Sequence, residues 1–164
     1  MYRPDHEVTL ERLTAAHADA ILAFELQNRE YFAAWVLDRG DDFFTSFPAR
    51  HQALLDEQEA GTCRFHVLVD ASGAVVGRVN LMDLEDGSAE LGYRIAETAT
   101  GHGLASAAVR AVAALAASEY GLTTLRAGTS DRNVASRAVL TRAGFRRVAD
   151  PAARLGFELR LGES

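Results

Sequence analysis

The chain has 164 residues, 48% of them hydrophobic and 24% charged, with a formal net charge of −6. That size supports one domain with its own core, and the negative balance argues against nucleic acid as main partner. Cys63 is the one cysteine, which excludes an internal disulfide framework and a cysteine-based zinc site. The opening MYRPDHEVTL lacks the apolar stretch of a signal peptide, and no apolar run has the length of a membrane span. The expectation is a soluble cytoplasmic protein, one domain over 1–164, with no membrane partner.

Residues 6–12 alternate and predict a first strand. Thr14 is suited to cap a helix over 14–27, in which Asp19 and Glu25 sit among Ala, Ile, Leu and Phe at helical spacing. A second short helix is predicted near 28–37, and the acidic, aromatic stretch 38–47 reads as a loop. Pro48 opens a helix that runs to about Ala60 and stops at Gly61. Cys63, Phe65, Val67 and Val69 then alternate with Arg64, His66, Leu68 and Asp70. The short turn Ala71-Ser72-Gly73 joins this strand to another over 74–84, which predicts an antiparallel hairpin. A second turn, Glu85-Asp86-Gly87-Ser88, leads into a strand over 89–96.

Next comes Thr100-Gly101-His102-Gly103-Leu104-Ala105. Behind it, Leu104, Ala107, Ala108, Ala111, Val112 and Leu115 form the stripe of a helix to about Glu119, ended by Gly121. Residues 122–129 read as a strand, about 133–143 as a helix closed by Gly144, and 145–149 and 155–161 as two last strands. No internal repeat or interdomain linker interrupts the order.

Strand 89–96, helix 102–119 and strand 122–129 make a βαβ unit with parallel strands and a right-handed crossover. Ligands of such units bind beyond the carboxyl ends of the strands, where the glycine turn and Asn133 both lie. Gly101 and Gly103 let backbone N–H groups approach a ligand. The helix start adds unpaired donors and a positive dipole end, a setting for phosphate. By itself the turn is equally a packing device. A dinucleotide site would need a third glycine where Ser106 stands and a carboxylate on the strand that offers Arg126. A P-loop would need Gly-Lys-Ser or Gly-Lys-Thr, which is missing. The remaining candidate is the pyrophosphate of coenzyme A.

Three segments carry a resemblance: Ala89-Glu90-Leu91-Gly92-Tyr93-Arg94-Ile95, then Gly101-His102-Gly103-Leu104-Ala105, then Asn133 to Leu140 with Ala143-Gly144-Phe145. In this order and spacing they resemble the GCN5-related N-acetyltransferase superfamily, and within it the bacterial acetyltransferases of ribosomal-protein N-termini. The family's cofactor loop reads Arg/Gln-x-x-Gly-x-Gly/Ala. Gly103 and Ala105 fill its last two fixed places, and Thr100 replaces the leading residue. Asn28-Arg29-Glu30-Tyr31-Phe32 and Trp35 resemble the subgroup's acceptor-side segment more loosely, and read equally as an amphipathic helix with core aromatics.

The resemblance implies an α/β (α+β) fold, a mixed, mainly antiparallel sheet of about seven strands flanked by helices around the βαβ unit. It implies transfer of an acetyl group from acetyl-CoA to a primary amine, most readily a protein N-terminus, by direct attack in a ternary complex. A small-molecule amine (polyamine, amino acid or aminoglycoside) and a non-catalytic acyl-CoA sensor stay open, as does a homodimer. The backbone near Ile95 would pair with pantetheine, and N–H groups of Gly101, His102, Gly103, Leu104, Ala105 and Ser106 would hold the pyrophosphate. Asn133 would reach the pantetheine or the acceptor, though it equally reads as an N-cap. Glu90 is the candidate general base. Leu140 stands where many members carry a proton-donating tyrosine, so Ser136 becomes the candidate acid, beside its reading as a small packing residue. Asn28, Tyr31, Phe32 and Trp35 would line the acceptor side. Arg132, Arg137, Arg142, Arg146 and Arg147 are candidates for a 3′-phosphate contact. No metal is implied.

Overall fold

Among the described residues seven strands form a single sheet of order β1-β2-β3-β4-β5-β7-β6. In chain order the elements are β1 (Thr9–Arg12), α1 (Ala18–Gln27), α2 (Arg29–Ala33), α3 (Asp41–Thr45), α4 (Phe47–Glu59), β2 (Arg64–Val69), β3 (Val75–Glu85), β4 (Ser88–Ile95), α5 (Leu104–Ser118), β5 (Thr124–Thr129), α6 (Val134–Arg142), β6 (Arg146–Val148) and β7 (Leu155–Arg160). This computed structural model describes residues 8–101, 103–149 and 155–162. The first residues of the predicted 6–12 strand lie outside that range, and so does His102.

The sheet separates two apolar layers. On one face, Leu68, Val79, Leu81, Leu91 and Ile95 pack with Leu104, Ala108, Val109 and Val112 of α5 and Leu140 of α6. On the other, Phe65, Val67 and Val75 pack with Ile21 and Phe24 of α1, Phe32 of α2, Phe43 of α3 and Phe47 of α4. β2 is therefore buried on both sides, because helices cover both faces of its alternating set.

Three expectations are corrected. The stretch 38–47 is not all loop: Gly40, at φ 85°, turns the chain into α3. Asp41 and Asp42 suit the positive end of that helix, and Phe43 anchors it in the second core. The 28–37 helix stops at Ala33, so Trp35 and Val36 stand in an exposed turn. The start of the 14–27 helix is a 3₁₀ turn, Ala15–His17, where the Thr14 N–H donates to His17 Nδ1 at 2.9 Å.

Among the described residues the one parallel pairing is β4 with β5, and it lasts for three register pairs: Ser88↔Thr124, Ala89↔Leu125 and Glu90↔Arg126. Beyond Glu90 the strands part, while β4 continues to Ile95 and β5 to Thr129. All other strand neighbours are antiparallel.

Candidate active site

The parting of β4 and β5 opens a cleft of about 750 Å³, within the range of small-molecule and cofactor sites. Its floor is the edge of β4 beyond the pairing with β5. Ala96 N–H donates to Val76 O at 2.9 Å, across to β3. Antiparallel alternation then turns the N–H and C=O groups of Ile95, Tyr93 and Leu91 away from β3, toward the gap. Buried backbone groups require partners, so this edge is suited to an extended ligand carrying amides. All three residues line the cleft, with Ala127, Gly128 and Thr129 of β5 opposite.

The N-terminus of α5 closes one end. Gly103 is its N-cap at φ 74°, and Gly101 stands at φ 82°. Nothing lies within 4 Å of a Cβ at either position, so the left-handed backbone, not crowding, requires glycine. The intrahelical ladder begins with Ala107 N–H to Gly103 O at 3.2 Å. The N–H groups of Leu104, Ala105 and Ser106 precede it and lack intrahelical acceptors. These residues, Thr100 and Gly101 line the cleft. The donors and the dipole fit a pyrophosphate, and among the described lining residues there is no carboxylate to oppose one.

α6 supplies the facing wall. Asn133 Oδ1 accepts from Ser136 N–H at 3.1 Å, so Asn133 is the N-cap. Its Nδ2 group, at the other side of the amide, can still donate into the cleft that Asn133 lines. Ser136 also lines the cleft, near the Tyr93 side chain. Burial pushes the Tyr93 phenol up, nearby Ser136 pulls it back, and Tyr31 raises it further. Leu140 is buried and apolar at the same wall. Tyr93 went unnoticed in the sequence because it reads as one apolar member of an alternating strand.

The opposite end belongs to α2 and the turn after it. Tyr31, Phe32, Trp35 and Val36 line it, and Trp35 and Val36 are 46% and 49% exposed at the mouth. The cleft therefore passes through the sheet, joining the α2 face to the α5–α6 face. Asn28 does not line it. Its side chain is buried, donates to Phe24 O at 2.9 Å and accepts from Glu97 N–H at 3.0 Å. Asn28 thus ties α1 to the 3₁₀ turn Glu97–Ala99 that precedes the glycine loop.

Beside this end lies a charge cluster around Glu25, which is 1% exposed. Its carboxylate accepts from Arg39 Nε at 2.9 Å, Arg78 Nη1 at 3.0 Å and Arg94 Nη1 at 3.3 Å. Burial pushes Arg78 below the usual guanidinium range. Arg94 is pushed down to about 10 by burial and by Arg39 and Arg78, against the pull of Glu25. Arg94 lines the cleft and lies 4.8 Å from the Phe32 ring centroid. The signal in the sequence was a lone acid within an otherwise apolar stretch of α1.

Glu90, the candidate base, does not line the cleft. It stands at the last paired position, opposite Met82, on the side of β4 that carries Gly92 and Arg94. Of the five C-terminal arginines, Arg142 lines the cleft. Arg137 donates to Asp131 O at 3.1 Å, Arg146 faces Glu158 at 3.8 Å and Arg147 lies over Phe157. Cys63 is buried, donates to Glu57 Oε2 at 3.7 Å and has its thiol pushed up by burial, the traits of a small hydrophobe. Among the described residues no helix is long and apolar enough to cross a membrane, and no group of His, Cys, Asp or Glu could hold a metal.

A probable N-acetyltransferase of Bacillus subtilis, YjcK, is 28% identical over 141 residues, covering 81% of this chain and 77% of that protein. The crystal structure of a ribosomal-protein-S5-alanine acetyltransferase from Vibrio fischeri superposes with a TM-score of 0.90 at 18% identity, over 99% of this chain and 97% of that one. RimJ of Mycobacterium smegmatis, solved in complex with CoA-disulfide, superposes at 0.83 with 24% identity, over 93% and 81%. The family described as the acetyltransferase (GNAT) domain matches residues 7–146. A parallel pair that parts after three residues, with a glycine-capped helix at its open end, is thus the framework of an acetyl-CoA-dependent N-acetyltransferase, and the chain belongs to the GNAT acetyltransferase family.

Proposed function

We propose that the acceptor is the α-amine of a polypeptide N-terminus, acetylated by direct attack in a ternary complex. The observation that carries this reading is the passage of the cleft through the sheet. It lets donor and acceptor approach the same gap from opposite faces, and its acceptor mouth at Trp35 and Val36 is an open trough suited to a chain that continues into solvent. The fold shared with the Vibrio fischeri ribosomal-protein acetyltransferase supports it.

Bound acetyl-CoA supplies the thioester carbonyl. Leu91, Tyr93 and Ile95 offer backbone groups to its extended arm, and the first N–H groups of α5 hold its pyrophosphate. Glu90 takes the ammonium proton through water, along the face of β4 that it shares with Gly92 and Arg94. Tyr93, kept protonated by burial, and Ser136 hold the proton that the leaving sulfur needs. Leu140 removes the alternative of a tyrosine on α6.

The test is incubation with acetyl-CoA and N-terminal peptides, with thiol release and the acetylated nitrogen located by fragment mass spectrometry. Acetylation of the α-amine is expected. Acetylation confined to lysine side chains or to small amines overturns the reading. Glu90→Gln should lose roughly 10²–10⁴-fold in turnover; turnover near wild type across pH removes Glu90 as base.

A further inference from the structure

We infer that the acceptor carries a carboxylate close to its amine, and that Arg94 is the residue that selects it. The inference rests on the polypeptide reading above and names the chemistry of the acceptor. The Glu25 carboxylate is shared by three guanidinium groups, so one negative charge stands against three positive ones. Arg78 is buried behind it, with 5% of its side chain exposed, and cannot turn to an outside ligand. Arg39 lies over Phe43 and lines a small neighbouring hollow rather than the cleft. Arg94 is the member that reaches the cleft.

Its contact to Glu25 is the longest of the three, and one of its Nη groups makes it. The Phe32 ring beneath fixes the guanidinium plane. The fork of remaining donors suits a carboxylate. The nearby acids are committed elsewhere: Asp38 accepts from Arg29 Nε at 3.0 Å and Nη2 at 2.8 Å, and Asp41 accepts from Arg29 Nη2 at 2.9 Å. Burial first, and then the neighbouring Arg39 and Arg78, depress the pKa of Arg94; an incoming carboxylate offsets the repulsion from these two. The cleft has no Asp or Glu among its described lining residues, so a polyamine or an aminoglycoside meets a cation where it needs an anion.

Two sources could provide the carboxylate: an acidic side chain after the N-terminal residue, or the α-carboxylate of a free amino acid. The experiment compares kcat/KM for peptides beginning Ser-Asp, Ser-Asn and Ser-Lys, for free amino acids and for spermidine. The Ser-Asp peptide should exceed the Ser-Lys peptide by about tenfold or more. Arg94→Gln should collapse that ratio, and Arg94→Lys should keep part of it. Equal use of the Asp and Lys peptides by the wild-type protein overturns the inference and leaves the polypeptide acceptor standing; this comparison needs no variant to fold. Use of free amino acids with no α-amine peptide activity overturns the polypeptide reading and keeps the carboxylate. Preference for spermidine overturns both.

Discussion

Replacing Glu25 by Gln removes the one anion at the centre of the cluster beside the acceptor end. Gln keeps the volume but offers a single neutral oxygen and turns an NH₂ group toward guanidinium groups. Arg39, Arg78 and Arg94, which approach the carboxylate at 2.9, 3.0 and 3.3 Å, then repel one another around a neutral centre. Breaking a buried ion pair by removing one partner costs about 3–5 kcal/mol. Arg39 and Arg94 have 31% and 21% of their side chains exposed and can relax toward water, whereas Arg78 cannot. The expected loss therefore sits at the low end, about 3 kcal/mol. Urea unfolding followed by far-ultraviolet circular dichroism reads this out. With a slope of about 2 kcal/mol per molar, the midpoint falls by about 1.5 M. A fall of less than about 0.3 M refutes the reasoning, because the guanidinium groups would then not depend on the carboxylate. The double variant Glu25→Leu with Arg78→Met removes the fully buried pair and should recover much of the loss, since an apolar pair needs no compensation.

Gly77→Ala places a methyl group 2.7 Å from Leu68 Cδ1, 2.8 Å from Ile95 Cδ1 and 3.2 Å from the Arg94 carbonyl. It should cost about 1–3 kcal/mol and, by moving the cleft floor, raise KM for acetyl-CoA; an unchanged Tm and KM contradict the packing argument. His66 is buried between the Val79 carbonyl, 3.1 Å from Nδ1, and the Tyr120 hydroxyl, 2.7 Å from Nε2, and burial pushes it down to about 4 from 6.5. The unfolded chain takes up that proton first as pH falls, so the stability is whole above pH 6.5 and is lost toward pH 4, roughly 3 kcal/mol in all. Urea midpoints for wild type and His66→Gln should converge over this window; parallel lines rule out the linkage. Asn28→Ala strands the Glu97 N–H and should cost about 1–3 kcal/mol. It should also raise KM for acetyl-CoA by loosening the approach to the glycine loop, and melting and kinetics indistinguishable from wild type would make the clasp irrelevant.

The order of elements was readable because period and punctuation are local. The stripe from Leu104 to Leu115 has the spacing of a helix with one apolar face, and Gly101 and Gly103 marked a turn into it where backbone N–H groups can approach a ligand. The i, i+3 spacing of Asn133 and Ser136 put both on the first turn of α6 before any fold was known. The short helix α3 escaped because five residues leave too little periodicity to separate a turn of helix from a loop.

The site itself is another matter. The sequence determined the glycine-capped helix, the αβ order and the capping asparagine, since each depends on residues a few positions apart. The tertiary structure alone decided that β4 and β5 part after Glu90, that Glu90 stops short of the cleft and that Tyr93 and Ser136 line it together. It also decided that Asn28 holds Glu97 across 69 positions, and that Glu25 binds Arg78 and Arg94 across 53 and 69. The reason is physical: a buried charge or amide must find a partner wherever the packed elements bring one, and no local pattern in the chain records who that partner is.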